Sequence, residues 1–163
     1  ETQPVSFGER LANSQAFTAL FRDGRALVEE TATTLEGPGR QESKKLERSA
    51  ALAYATESMR LTTRLMQLAS WLLLHRAVKE GEMTLTQANR EKTKVKLTAA
   101  DPGPEDMIIQ LPQQLQELIA RSMSLQTRVR RLDITIHAPA AERAPIGNPL
   151  VPQLNRLKAA FEQ

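Results

Sequence analysis

Hydrophobic side chains recur at helical spacing along residues 49–80, which form the most regular segment of the chain. The segment contains no Gly and no Pro, and it is rich in Ala, Leu, Met and Arg, which favour helices. Its main apolar stripe consists of residues three, four or seven positions apart: Ala50, Tyr54, Leu61, Leu65, Leu68 and Leu72. This pattern predicts one long helix that the other elements must cover.

Two further sets of residues on this helix need partners. A second stripe, flanked by Met66 and Leu73, is made of small residues: Ala51, Ala55, Ser58, Thr62 and Ala69. Small side chains let a neighbouring helix approach closely, so we expect the helices before and after this one to cover both stripes. Three apolar residues point away from both stripes: Trp71, Leu74 and Val78. They predict either packing beneath residues 84–90 or a homodimer surface.

Similar patterns predict a helix on each side. Residues 17–35 follow helical spacing, with capping signals at residues 6–9 and at Ser14, and with Gly24 at a position that indicates close packing. Residues 36–39 should end that helix, with a Gly in the left-handed conformation. After the central helix, Gly81 suits a C-cap and residues 84–87 have capping-box spacing. Residues 111–136 predict a third long helix ending at Pro139.

These elements predict an all-α fold, with an antiparallel three-helix bundle over residues 1–137 and a homodimer as its assembly. Residues 138–163 are rich in Pro and Ala, which predicts a flexible, disordered tail. The tail ends in a short amphipathic segment whose apolar residues are Leu150, Leu154, Leu157 and Phe161. Such a segment can fold back onto its own bundle, fray, or become ordered on a partner.

The composition excludes several classes of protein. The chain of 163 residues has no Cys, which excludes disulfides and thiolate chemistry. Its most apolar run, residues 65–74, is shorter than the ~20 residues that a membrane span needs. No secretory signal opens the sequence, so we expect a cytoplasmic protein. The net charge of +3 is too small to identify an acidic partner by itself.

Catalytic and metal-binding motifs are absent from the sequence. The two histidines are His75, which we interpret as a residue at the edge of the core, and His137. Asp133 and His137 lie four apart, and we interpret this spacing as a local ion pair at a helix C-terminus rather than a metal site. We expect no enzyme activity, no cofactor and no metal; an enzyme built on either histidine is the alternative.

Charged residues on the central helix and beyond it predict solvent-exposed faces. Glu57, Arg60 and Arg64 form a row on the central helix, where a surface ion pair is expected. Basic residues at 90–96 and at Arg128, Arg130 and Arg131 would suit phosphate contacts. No aromatic residues are interleaved with them. A solvated face or an acidic protein partner is therefore favoured over the alternative, a helical nucleic-acid-binding regulator.

Two segments carry a resemblance to a known family. They read FTALFRDGRALVEETATTLEGPGR and AYATESMRLTTRLMQLASWLLLHRAVKEGEMTLTQANREK. Together they resemble the alphaproteobacterial family of RcdA, the regulator of CtrA degradation, over most of residues 7–136. The Pro-rich tail is less typical of the family.

The resemblance implies a non-enzymatic adaptor for the ClpXP protease. Family members are dimeric three-helix bundles that bind ClpX primed by the response-regulator-like protein CpdR. They deliver cargo directly or recruit the further adaptor PopA, which leads to cell-cycle-timed proteolysis of regulators including CtrA, often at a cell pole. No nucleic acid and no membrane span are expected.

An adaptor acts by tethering, because it raises the effective concentration of its cargo at the unfoldase. Its docking surfaces should be exposed and either charged or amphipathic. On this ground we predict partner-binding residues in the basic region after the central helix and in the tail: Asn89, Arg90, Lys92, Leu150, Leu154, Leu157 and Phe161.

Overall fold

The computed structural model describes residues 10, 14–92, 100–137 and 150–161, and all their regular secondary structure is helical. The helices are α1 (Gln15–Glu36), α2 (Pro38–Ser43), α3 (Arg48–Lys79), α4 (Leu85–Lys92), α5 (Glu105–Ile108), α6 (Gln113–His137) and α7 (Val151–Phe161). The predicted all-α class is confirmed. Helices α2 and α5 are short elements that the sequence patterns did not predict.

Helix α3 is the central helix of the fold, within one residue of its predicted ends. Its main apolar stripe is buried apart from Ala50, which is partly covered. The helix ends as predicted, because Gly81 adopts the left-handed conformation with φ of 76°.

Capping groups define both ends of α1. The hydroxyl of Ser14 accepts a hydrogen bond from the backbone N–H of Phe17 at 3.3 Å, so the helix starts at the second of the two predicted signals. The first signal, at residues 6–9, lies outside the described residues. Gly37 ends the helix with φ of −110°, so the left-handed conformation predicted there is wrong. Pro38 instead begins α2, because its fixed φ suits the first turn of a helix.

A capping box starts α4, as its spacing predicts. The backbone N–H of Gln87 donates to the Thr84 hydroxyl at 3.1 Å, and the Thr84 N–H donates to the Gln87 side chain at 2.9 Å. The loop at residues 101–104 then leads into α5 and α6. The predicted stop at Pro139 lies outside the described residues.

The core lies where the three long helices α1, α3 and α6 contact one another. It is aliphatic apart from Phe17, Tyr54 and Trp71. Gly24 of α1 faces α3 so closely that a Cβ atom there would lie 2.6 Å from Cδ1 of Leu72. This confirms the close packing predicted for Gly24.

Helix α7 presents every one of its residues to solvent. The amphipathic end of the tail is therefore helical in this structure, and its apolar side chains are uncovered. Of the tail predicted to be flexible over residues 138–163, residues 138–149, 162 and 163 lie outside the described residues. Among the described helices, none combines the length and the apolar character needed to cross a bilayer.

Candidate functional site

One face of α3 is left uncovered by the residues that the structure describes. We expected the small-residue stripe to pack under another helix, but its members are only partly buried or exposed. Beside it, large apolar side chains stand in solvent at intervals of seven residues: Leu52, Met59, Met66 and Leu73. The prediction that two helices cover both stripes is therefore wrong for the second stripe. The seven-residue spacing of these four residues was the signal that we missed.

An apolar groove runs between this face of α3 and helix α1. It consists of two adjoining cavities of about 310 Å³ and 170 Å³, which share Val28, Leu65 and Ala69. Charged residues line one of them: Arg25 pairs with Glu29 at 3.0 Å. An apolar centre with a charged rim is the usual composition of a protein–protein interface.

The three residues predicted as a dimer surface lie elsewhere. Trp71 is fully buried within its own chain, so its assignment to a dimer surface is wrong, and Leu74 and Val78 are partly buried. The indole of Trp71 packs on Phe17, with ring centroids 6.2 Å apart. The indole N–H donates a hydrogen bond to Oδ1 of Asp133 at 2.8 Å, so the polar group of Trp71 also finds its partner within the chain.

The predicted docking residues of α4 and α7 lie on the surface, with one exception. Asn89 and Arg90 are exposed, as are all the predicted residues of α7. Lys92 is engaged instead, because its ammonium group pairs with Oδ2 of Asp133 at 3.0 Å in a largely buried position.

Basic residues of α6 form ion pairs with acidic residues of α1. Arg128 contacts Asp23 at 2.9 Å, and Arg121 contacts Glu30 at 2.6 Å. The hydrogen bond from Arg128 lowers the pKa of Asp23. These pairs reduce the positive charge that α6 offers to a phosphate backbone.

The charged row on α3 is largely interior, so the predicted surface ion pair is wrong in its location. Glu57 is fully buried, and its Oε1 accepts hydrogen bonds from Arg60 at 2.6 Å and from the backbone N–H of Gly103 at 3.1 Å. A Cβ atom at Gly103 would lie 2.6 Å from that carboxylate oxygen. The loop at residues 101–104 therefore covers Glu57 in the N-terminal half of α3.

Arg64 is also fully buried, although Arg almost never is unless its charge is paired. Its guanidinium donates to the Ser122 hydroxyl of α6 at 2.8 Å and to the backbone carbonyl of Ala100. Burial lowers the pKa of Arg64, and nearby Asp101 and Glu57 partly offset this effect. The side chain joins α3, α6 and the loop between α4 and α5.

A polar cluster lies where the C-terminal ends of α3 and α6 meet. His75 is fully buried and stacks on Trp71, with ring centroids 4.0 Å apart. Its Nδ1 lies 2.9 Å from the backbone carbonyl of Trp71, and its Nε2 lies 2.8 Å from Nε2 of His137. Burial lowers the pKa of His75, so the neutral ring is favoured.

Asp133 completes this cluster. Its Oδ1 accepts a hydrogen bond from the indole N–H of Trp71 at 2.8 Å and lies 3.7 Å from Nε2 of His137. The predicted Asp133–His137 pair is thus present as a contact, but it belongs to a larger group that includes His75 and Lys92. Sequence spacing could not show this, because His75 is 62 residues from His137. Two imidazoles and a carboxylate in contact are a donor set that can bind a metal ion.

Comparison with known proteins identifies a family model and a solved structure that are similar to this chain. A family model described as "Protein of unknown function (DUF1465)" matches residues 8–161. The crystal structure of RcdA from Caulobacter crescentus is similar with a TM-score of 0.66 and 48% sequence identity, covering 80% of this chain and 98% of that chain. No curated protein sequence matches.

Proposed function

Because this chain belongs to the RcdA family, as its sequence predicted, we propose that it is a non-enzymatic adaptor in regulated proteolysis. The observation that carries the proposal is the 48% identity to RcdA over 80% of the chain. In this role the chain binds ClpX of the ClpXP protease after priming by CpdR. It then tethers cargo, or the further adaptor PopA, for cell-cycle-timed degradation of proteins including CtrA.

The described surface supports a role in binding. The chain presents two separate exposed elements, the surface of α4 at Asn89 and Arg90 and the amphipathic helix α7. Two binding sites on one chain are what tethering requires, because each weak contact then benefits from the effective concentration that the other supplies. The role places the protein in the cytoplasm, with recruitment to a cell pole through its partners.

We assign partner docking to two exposed regions. Asn89 and Arg90 lie on α4 and suit an acidic protein surface. The apolar residues of α7 suit an apolar groove on a partner, which is how amphipathic helices are commonly bound. The predicted ones are Leu154, Leu157 and Phe161 of the helix, together with Leu150, which directly precedes it.

The groove between α1 and α3 is assigned to homodimerisation of the three-helix bundle. Helix α1 runs antiparallel to α6, but α3 and α6 run in the same direction with their C-terminal ends together, so the antiparallel arrangement predicted for the bundle is wrong for this pair. Four large apolar residues at intervals of seven on α3 place one side chain on the same face every two turns, and this suits helix-on-helix packing between subunits. A second copy presents the same row, so that the contact is self-complementary, as in a symmetric dimer.

A reconstituted degradation assay tests the adaptor role. ClpXP and CpdR are mixed with a CtrA-family cargo protein or a reporter protein as the substrate. The degradation rate of the substrate is then compared with and without this chain. We expect the chain to accelerate degradation only when CpdR is present. A chain that lacks residues 138–163 shows whether the acceleration depends on the tail.

Two results would contradict the proposal. One is that no cargo is degraded faster in the presence of the chain. The other is binding to duplex DNA that weakens steeply with salt, which would support the nucleic-acid-binding alternative.

A further inference from the structure

Three groups that commonly bind metal ions converge at the C-terminal ends of α3 and α6. They are Nε2 of His75, Nε2 of His137 and a carboxylate oxygen of Asp133. All three ligand atoms lie within 4.8 Å of one another. The adaptor function proposed above makes no use of them.

Hydrogen bonds fix the positions of His75 and Asp133 in this group. A backbone carbonyl can only accept, so Nδ1 of His75 donates its proton to Trp71, and the lone pair of Nε2 faces His137. Asp133 is held by Trp71 through one oxygen and by Lys92 through the other. Metal-binding histidines characteristically donate their second N–H to a carbonyl or carboxylate, and their carboxylate partners are hydrogen-bonded in turn.

We propose that His75, Asp133 and His137 form a binding site for one divalent transition-metal ion, with Zn²⁺ as the best-suited ion. In tetrahedral Zn²⁺ sites with bonds of about 2.0–2.1 Å, neighbouring donor atoms lie about 3.3 Å apart. The two imidazole nitrogens are 2.8 Å apart, and Asp133 Oδ1 is 3.7 Å from His137. Side-chain shifts of about half an ångström would bring these two distances to this value, and the third pair, His75 and Asp133, lies within 4.8 Å.

The donor set selects the class of ion. Two imidazoles and one carboxylate suit Zn²⁺ and its transition-metal neighbours, whereas Mg²⁺ and Ca²⁺ prefer oxygen ligands only. The site borders solvent, since the side chains of His137 and Asp133 are 9% and 13% exposed. A water molecule can therefore supply the fourth ligand. Asp133 Oδ1 has a second lone pair, so it can keep its hydrogen bond from Trp71 while binding the ion.

Metal binding requires a rearrangement of one proton. In the neutral pair, His137 donates its Nε2 proton to His75, and the ion must replace this hydrogen bond. The neutral ring of His137 can carry its proton on Nδ1 instead, which frees the Nε2 lone pair without net release of a proton. His75 keeps its proton on Nδ1 throughout.

The bound ion would join helices α3 and α6 and would lie beside Lys92 at the end of α4. Because the ion binds the folded chain and finds no assembled site in the unfolded chain, it should stabilise the fold. This inference does not depend on the adaptor function, since it concerns the isolated chain.

Metal titration of the untagged full-length chain tests the proposal. The chain has two histidines and no cysteine, so every imidazole or thiolate ligand that it offers lies in this site. After treatment with EDTA and removal of the chelator, we expect one Zn²⁺ per chain in calorimetry and a higher unfolding temperature. Co²⁺ should give the intense visible absorption of a four-coordinate ion, and Mg²⁺ and Ca²⁺ should have no effect.

Variants identify the ligands. His137→Gln and Asp133→Asn should each weaken Zn²⁺ binding at least about tenfold. Loss of a residue that only supports a metal ligand typically weakens binding by about this factor, and loss of a ligand should weaken it at least as much. Asp133→Asn retains an acceptor for the Trp71 N–H. The matched control Asp23→Asn makes the same change at an exposed ion pair on α1 and should leave Zn²⁺ binding unchanged.

The proposal is overturned if the wild-type chain binds no Zn²⁺ at concentrations of tens of micromolar. It is also overturned if His137→Gln, folded by circular dichroism, binds Zn²⁺ as tightly as the wild type. If Asp133→Asn does not fold, the wild-type Co²⁺ spectrum and His137→Gln decide the question. A degradation assay that fails would not affect these results, and absence of metal binding would leave the adaptor function untouched.

Discussion

Arg64 of α3 donates a hydrogen bond from Nη1 to the hydroxyl of Ser122 on α6 across 2.8 Å, and both side chains are fully buried. Ser122→Ala removes this acceptor and leaves a guanidinium N–H facing a methyl group. We expect the free energy of unfolding to fall by about 1–3 kcal/mol, because the buried N–H of Arg64 loses a hydrogen-bond acceptor. Urea unfolding followed by circular dichroism measures the loss.

Ser124→Ala is the matched control for this prediction. Ser124 lies on the same helix and is exposed, so its substitution should change the free energy of unfolding by less than about 0.5 kcal/mol. Equal effects of the two substitutions would show that the Arg64–Ser122 hydrogen bond does not stabilise the fold.

Periodicity was sufficient to predict the long helices. The pattern at residues 49–80 gives α3 to within one residue, and the spacing of Thr84 and Gln87 gives the capping box of α4. Both signals are local, because they depend on residues within one or two turns of each other. The short helices α2 and α5 have too few residues for a period to be visible.

Tertiary contacts decided the features that periodicity could not predict. Arg64 and Glu57 have the polarity of surface residues, yet the loop at residues 100–104 lies over them and supplies backbone partners. The contact between His75 and His137 joins two helices distant in sequence. On the uncovered face of α3 the pattern was misleading in the other direction. Its small and apolar residues predict packing, but the pattern does not show whether the partner belongs to the same chain.

Burial of Tyr54 gives a prediction about alkaline pH. Burial is the main cause that raises the pKa of its hydroxyl above the ordinary value. The folded state therefore favours the neutral phenol. Stability is fully present below the unfolded pKa of about 10 and is lost as the pH rises through the folded pKa, with a slope of at most about 1.4 kcal/mol per pH unit.

The chain contains one tyrosine, so tyrosinate absorbance reports on Tyr54 alone. We expect its titration midpoint to lie above that of the chain unfolded in urea. Tyr54→Phe should remove the corresponding part of the stability loss between about pH 9 and pH 11, whereas lysine titration affects both proteins equally. A midpoint at or below the value in urea would contradict the predicted shift.

The exposed row on α3 gives a prediction about assembly. Met66 is 65% exposed within one chain, so Met66→Glu should change the free energy of unfolding of the monomer by less than about 0.5 kcal/mol. In a dimer formed through this face, each subunit would bury one glutamate without a partner. We therefore expect Met66→Glu to be monomeric in sedimentation velocity at concentrations at which the wild type is dimeric.

Ile134→Glu is the control for Met66→Glu. Ile134 is 70% exposed, but it lies on α6 and does not line the groove between α1 and α3. This variant should sediment as the wild type does. A wild type that remains monomeric at tens of micromolar, or a dimer that persists in Met66→Glu, would remove this face from the assembly.

Deletion of residues 138–163 tests the part of the adaptor proposal that concerns α7. Every residue of α7 is exposed, so we expect the deletion to leave the unfolding temperature of the remaining chain unchanged while cargo delivery to ClpXP slows. The double substitution Leu154→Asp and Leu157→Asp should slow delivery in the same way, because a charged helix face cannot enter an apolar groove. Asn155→Asp adds a charge to the same helix without changing an apolar residue, and it should keep the wild-type rate. Unchanged degradation by both the deletion and the double variant would exclude α7 from cargo delivery, leaving α4 as the docking surface.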